Sequence, residues 1–173
     1  MLGAALERLE AEGIRVVGAA PVLLTDPVGP SQRRYVNSAA MVETPLDPPS
    51  LLALLKRIER AFGRRRGGQR WAARVLDLDV ILWSGGSWFG PGLAIPHPLF
   101  RTRAFVLVPA VHVAPDWRDP VTALTVRQLH ARLTRGRAPA QRARPGGPRA
   151  GRAAGARAGV VSAQRSVAAM PSA

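Results

Sequence analysis

Residues 76–80 read Leu-Asp-Leu-Asp-Val, a strict alternation of apolar and acidic side chains. Alternate residues of a β-strand point to the same face, whereas a helix scatters them around its axis. The pattern therefore demands a strand. It predicts Leu76, Leu78 and Val80 in a core and Asp77 and Asp79 projecting together from the other face. Two carboxylates side by side repel unless a cation sits between them. Hard oxygen donors suit magnesium, which typically takes one or two carboxylates plus substrate phosphates. From this pair alone, two solvated aspartates on an edge strand remain the plainer alternative.

The elements around that strand define a mixed fold. Residues 2–12 carry Leu2, Leu6 and Leu9 on one helical face, and Gly13 stops the helix. Residues 14–25 predict a Val- and Leu-rich strand, residues 26–30 a turn, and residues 35–43 a second strand. Asp47 can cap a helix whose first turn holds Pro48 and Pro49 and whose buried face is Leu51, Leu52, Leu55, Ile58 and Phe62. After a basic loop the strand at 75–83 follows, then a glycine-rich turn at 84–92. A loop around Pro96-His97-Pro98 leads to an apolar stretch at 105–113, and a short helix is expected at 125–133. These elements predict an α+β sandwich, a mostly antiparallel sheet with helices on one face. The chain begins inside a helix with no strand before it. The expected organisation is one domain over residues 1–133 and a disordered tail over 134–173, rich in Arg, Ala, Gly and Pro and without periodicity.

Charge needs dividing before it is interpreted. Of the formal +14, eight arginines in residues 134–173 account for +8 and leave +6 for the rest. The body is thus only moderately basic, and nucleic acid is expected to bind non-specifically through the tail at most. There is no cysteine, which removes disulfides, thiolate catalysis and thiolate zinc sites. No apolar run reaches membrane-spanning length. Glu7, Glu10 and Glu12 are the wrong chemistry for a leader peptide, so a cytoplasmic protein is expected.

Further candidate residues lie near the aspartates in sequence. Arg64, Arg65, Arg66, Arg70 and Arg74 offer guanidinium forks that match phosphate oxygens, in a loop with Gly67, Gly68 and Trp71. They are equally suited to plain salt bridges. His97, held between two prolines, has a phosphate-binding and a structural reading, whereas His112 and His130 read as structural. Tyr35 and Asn37 share one strand face, an aromatic plane beside an amide.

Together these segments resemble the 6-hydroxymethyl-7,8-dihydropterin pyrophosphokinase family. The likeness covers residues 25–115. It rests on Gln32-Arg-Arg-Tyr-Val-Asn-Ser-Ala-Ala, Arg57-Ile-Glu-Arg-Ala-Phe-Gly-Arg, Arg70-Trp-Ala-Ala-Arg-Val-Leu-Asp-Leu-Asp and the run from Pro96-His-Pro to Arg103-Ala-Phe-Val-Leu. The resemblance implies a ferredoxin-like fold and transfer of pyrophosphate from ATP to the hydroxymethyl group of the pterin, yielding AMP, in folate biosynthesis. It implies two magnesium ions on Asp77 and Asp79, with Arg64 and Arg74 also in the catalytic set. Tyr35 and Phe105 would sandwich the pterin, Asn37 would bond its edge, Thr25 and Val28 would line the pocket, and Trp71 would close over it. Glu59, Arg66, Arg74, His97 and Arg103 would contact ATP. The expected partners are small molecules, with no membrane, and the expected state is a monomer.

Departures from the family pattern are specific. The usual first core strand and its Gly-Ser-Asn turn are absent from this chain, which fits a start placed too far downstream, a truncation or a fusion fragment. Lys56 replaces a common glutamine, Ala72-Ala73 a common Gly-Pro, and Ala94 a frequent hydroxyl residue; Pro98 stands where an aromatic also occurs. The competing readings are a basic nucleic-acid-binding module and an inactive remnant.

Overall fold

The computed structural model describes residues 2–25, 34–63, 76–135 and 157–167, with residues 34, 157, 158 and 162–167 described by their backbone. Helix α1 (Leu2–Ala11) ends at Gly13, whose φ of +81° is a conformation glycine adopts without steric cost. Strands β1 (Arg15–Ala19) and β2 (Leu23–Thr25) then replace the single strand expected over 14–25. Pro21 sits in the break between them and has no N–H to give a ladder. Ala20 still donates its N–H to Ala39 O at 2.8 Å.

Strand β3 (Arg34–Thr44) leads to helix α2 (Pro48–Gly63). Asp47 caps that helix as expected, Oδ1 accepting the Ser50 N–H at 2.9 Å. Leu51, Leu54, Leu55 and Ile58 are buried along one α2 face. Each contributes roughly 1.5–3 kcal/mol relative to exposure. Arg57 donates to Glu12, linking α2 to the end of α1.

The alternating segment forms β4 (Asp77–Trp83). The expected glycine-rich turn is a small hairpin, β5 (Trp88–Gly90) and β6 (Leu93–Ile95), reversing at Pro91-Gly92 with Gly92 at φ +72°. The Ile95–Pro96 peptide is cis. A 3-10 turn (Phe100–Thr102) precedes α3 (Ala104–Val113), and α4 (Val126–Arg135) follows. The last described element is β7 (Arg157–Val167). This differs from the expectation of a disordered tail from residue 134: α4 runs to Arg135, and residues 157–167 form a strand. Residues 136–156 and 168–173 lie outside the described residues.

The main sheet runs in the order β1-β3-β7-β4, with β2 also pairing with β3, and every pairing is antiparallel. Strand β7 lies between β3 and β4, paired from Arg34↔Val167 to Thr44↔Arg157 on one side and from Asp77↔Gln164 to Trp83↔Gly159 on the other. It thus holds an interior position in the sheet.

Helices cover both faces, not one. Against one face, α1 and α2 enclose Ala40, Val42, Leu78, Val80 and Val161. Against the other, α3 and α4 enclose Ala39, Ile81, Leu82 and Val160. The physical reason is that neighbouring residues such as Ala39/Ala40 and Val160/Val161 are apolar on both sides of the strand.

Candidate functional site

The alternation at 76–80 is realised side by side. Leu78 and Val80 are buried beneath α2, while Asp77 and Asp79 are partly exposed on the opposite face. Cross-strand register puts Asn37 in the same row as Asp77, through Gln164 of β7. Thr25 lies opposite Tyr35. Thr25, Tyr35, Asn37, Asp77 and Asp79 therefore share one sheet face, since directly paired residues project alike.

Within that set, Asn37 is buried and its Nδ2 donates to Thr25 Oγ1 at 2.7 Å. Its Oδ1 is buried with no hydrogen-bond partner among the described residues. A buried acceptor left open is uncommon, and it is suited to an N–H donor from a ligand.

Strand β4 is the sheet's outer strand, and α2 reaches around its edge. Glu59 Oε1 accepts the Leu78 N–H at 2.5 Å and the Lys56 ammonium at 2.7 Å. Lys56 Nζ also donates to Leu78 O at 3.2 Å. The two side chains thus satisfy both backbone groups of Leu78, as a neighbouring strand would, and close that stretch of edge. The same ammonium lies 3.4 Å from Asp77 Oδ1 and 3.5 Å from Asp79 Oδ1. Burial works against the charge on Lys56, but Glu59, Asp79 and Asp77 more than offset it and hold its pKa above the ordinary value. Burial raises the Glu59 pKa despite the hydrogen bonds from Lys56 and Leu78.

On the other side of the carboxylates, the His97 N–H donates to Ile81 O at 3.0 Å, fixing the loop after β6 to β4. His97 Nδ1 accepts the Leu99 N–H at 3.3 Å, so the neutral ring carries its proton on Nε2. Burial lowers the His97 pKa, with Arg103 adding to that and Asp79 opposing it. A cleft of about 400 Å³ opens along this edge, lined among others by Leu52, Lys56, Asp79, Phe89, Ala94 and His97.

Arg103 precedes α3, and its guanidinium lies 5.7 Å from the centre of the Phe105 ring. The 3-10 turn between His97 and Arg103 is clamped from below. Arg101 gives Asp119 a two-point ion pair at 2.7 and 2.6 Å, and Asp119 also accepts from Thr122 Oγ1 at 2.5 Å and Val121 N at 3.1 Å. Sequence reasoning missed this clamp. Its one signal was an acid followed by Pro120 and Thr122, a composition shared by many turns.

Of the residues expected at a site, Glu59, Asp77, Asp79 and His97 come together at the β4 edge, joined by Lys56. Thr25 and Asn37 form a bonded pair, with Tyr35 on the same face. Val28, Arg64, Arg66, Trp71 and Arg74 lie outside the described residues, as do Arg65 and Arg70. Among the described residues no cluster of three or more His, Cys, Asp or Glu side chains is set to hold a metal alone. Two carboxylates suffice for a cation that keeps water and phosphate oxygens as its other ligands. No described helix is long and apolar enough to cross a membrane.

Residues 1–115 match the profile of a family described as 7,8-dihydro-6-hydroxymethylpterin-pyrophosphokinase (HPPK). A 2-amino-4-hydroxy-6-hydroxymethyldihydropteridine pyrophosphokinase from Synechocystis is 39% identical over 127 residues, covering 73% of this chain and 65% of that protein. The protein of the same name from Methylorubrum extorquens is 41% identical over 135 residues, 77% of this chain and 84% of its own length. The one from Pseudomonas aeruginosa is 43% identical over 107 residues, 61% and 65%. The chain thus spans just under two thirds of two of these relatives.

Proposed function

The chain belongs to the 7,8-dihydro-6-hydroxymethylpterin-pyrophosphokinase family, and from that premise we propose that it transfers pyrophosphate from ATP to the hydroxymethyl group of 6-hydroxymethyl-7,8-dihydropterin in folate biosynthesis. The pterin oxygen bonds to the β-phosphorus, the bond from that phosphorus to the α,β-bridging oxygen breaks, and AMP leaves. The hydroxyl proton passes to solvent. Such transfers depend on positioning and charge neutralisation, not on a protein nucleophile.

The observation that carries this reading is the Asp77–Asp79 pair on one face, with the Lys56 ammonium 3.4 Å from an oxygen of one and 3.5 Å from an oxygen of the other. The pair already faces a cation, and two carboxylates on one face fit magnesium, which takes its remaining ligands from water and phosphate. Two ions on these carboxylates belong to the proposal. Magnesium, when bound, would neutralise phosphate charge and lower the pKa of the attacking hydroxyl. The chain's own groups have separate tasks. Asn37, steadied by Thr25, offers its open Oδ1 to an N–H on the pterin edge. Tyr35 and Phe105 supply ring faces for stacking. His97, neutral near pH 7, offers Nε2–H to phosphate, and Arg103 adds a fixed positive charge. Glu59 supports this site by holding β4 and Lys56. Arg64, Arg66, Arg74, Trp71 and Val28 complete the proposal as phosphate and pterin contacts. It also includes a monomer working in the cytoplasm, with nucleic acid held at most non-specifically by the basic C-terminal residues.

The test is conversion of ATP plus the pterin to AMP in magnesium-containing buffer. Asp77→Ala or Asp79→Ala should reduce turnover at least about a thousandfold, the scale of losing a major electrostatic stabiliser, without lowering the melting temperature. Wild-type rates in either variant would end the assignment of these carboxylates.

A further inference from the structure

Lys56 makes two kinds of contact. Its bonds to Glu59 Oε1 at 2.7 Å and Leu78 O at 3.2 Å are of hydrogen-bond length. Its bond to Asp77 Oδ1, at 3.4 Å, is the longest of its hydrogen bonds, and its approach to Asp79 Oδ1, at 3.5 Å, acts through charge. The ammonium is therefore anchored on one side and leans on the carboxylates from the other. It can withdraw from the aspartates without losing its anchors. A lysine with this charge also cannot serve as a metal ligand, because its nitrogen has no free lone pair.

We infer that Lys56 is a built-in counter-ion of the Asp77–Asp79 pair, so that a divalent cation binds by exchange, taking over from the ammonium between the two carboxylates. This rests on the reading that the pair receives a divalent cation. The device has two effects that pull in opposite directions. Without metal, the positive charge relieves repulsion between two acids on one strand face. With metal, the same charge stays a few ångströms away on Glu59 and Leu78 O and weakens cation binding. The site then binds metal alone poorly, and the negative phosphates of a nucleotide restore the balance. Lys56 is a positioning residue in this account, acting through the carboxylates.

The experiment uses the full chain and does not depend on turnover. Mn²⁺ binding is followed through loss of the free-ion paramagnetic resonance signal, and thermal melting is recorded in chelator and in Mg²⁺. Lys56→Gln should bind Mn²⁺ about tenfold more tightly, the scale of removing one charge a few ångströms from a partly solvated cation. Its melting temperature should fall in chelator and recover in Mg²⁺, whereas the wild type should change little between the two. Lys56→Arg keeps the charge and should retain the wild-type affinity. Equal Mn²⁺ affinity in wild type and Lys56→Gln, with both folded by circular dichroism, would overturn the counter-ion role alone. Absence of Mn²⁺ binding from both, unchanged by Asp79→Asn, would overturn the metal reading and this inference together.

Discussion

Asp119 offers the sharpest stability test, because its surroundings fix both sign and size. The side chain is fully buried, and its partner Arg101 retains 25% of its side-chain exposure. Asp119→Ala removes the two-point ion pair and two further hydrogen bonds. It leaves a guanidinium facing a dry hollow. Breaking a buried pair from one side typically costs about 3–5 kcal/mol. The exposed part of Arg101 can regain water, so the low end, about 3 kcal/mol, is expected. For a domain of this size that is roughly 6–12 °C in melting temperature. Removing both charges with Arg101→Met/Asp119→Leu should lose less than the single change, because no charge is stranded. The acid limb adds a second readout. Burial pushes the Asp119 carboxyl up, but the bonds from Arg101, Thr122 and Val121 more than offset it, so its pKa lies below the usual value. Its stabilisation is therefore complete above the unfolded pKa of about 3.9 and is lost as pH falls through the lower folded value. The variant should show a flatter fall in stability below about pH 4. A single-variant loss under about 1 kcal/mol by denaturant unfolding, or an unchanged acid limb, would refute the clamp.

Two other expectations concern β7 and His97. Deleting residues 136–173 removes the strand that pairs with both β3 and β4, so melting should broaden and shift down by well over 10 °C, on the scale of losing several buried contacts. Gly159→Val should move it in the same direction, since an added Cβ meets the Trp83 ring at 3.2 Å; unchanged melting in both would remove β7 from the sheet. For His97, a folded pKa lowered by burial means that protonation opposes folding, so stability contributed by the neutral ring is lost as pH falls below about 6.5. An imidazole titration by NMR should show a midpoint below that value, and a midpoint above it would contradict the buried placement.

The parts legible in sequence were those with a local cause. Strand β4 follows from alternation alone, and α2 from its Asp47 cap and the spacing of Leu51, Leu55 and Ile58. The co-location of Asp77 with Asp79 needed nothing beyond the two-residue period of a strand. Helix α3 was unreadable because Val106, Leu107, Pro109 and Ala110 are all buried and its neighbours are apolar too, leaving no periodicity. Strand β7 was hidden by composition, since Val160-Val161 is a short apolar pair among Arg, Ala and Gly. Its place in the sheet is decided by pairing with β3 and β4, over a hundred residues away for β3. Lys56 was noticed only as an exchange for glutamine. That it touches both acids depends on α2 crossing the β4 edge, which no spacing within one element reveals.

Strand β7 emerges from the ribosome after every strand it joins. Until it arrives, the nascent sheet is two unconnected pieces, each with a bare ladder, and the acid-bearing piece has no fixed relation to the Thr25–Asn37 piece. Such open ladders invite pairing with another chain. Assembly of this site is thus a late event in the life of each molecule, and conditions that crowd or hurry synthesis should show first as aggregated product before any fault in the chemistry.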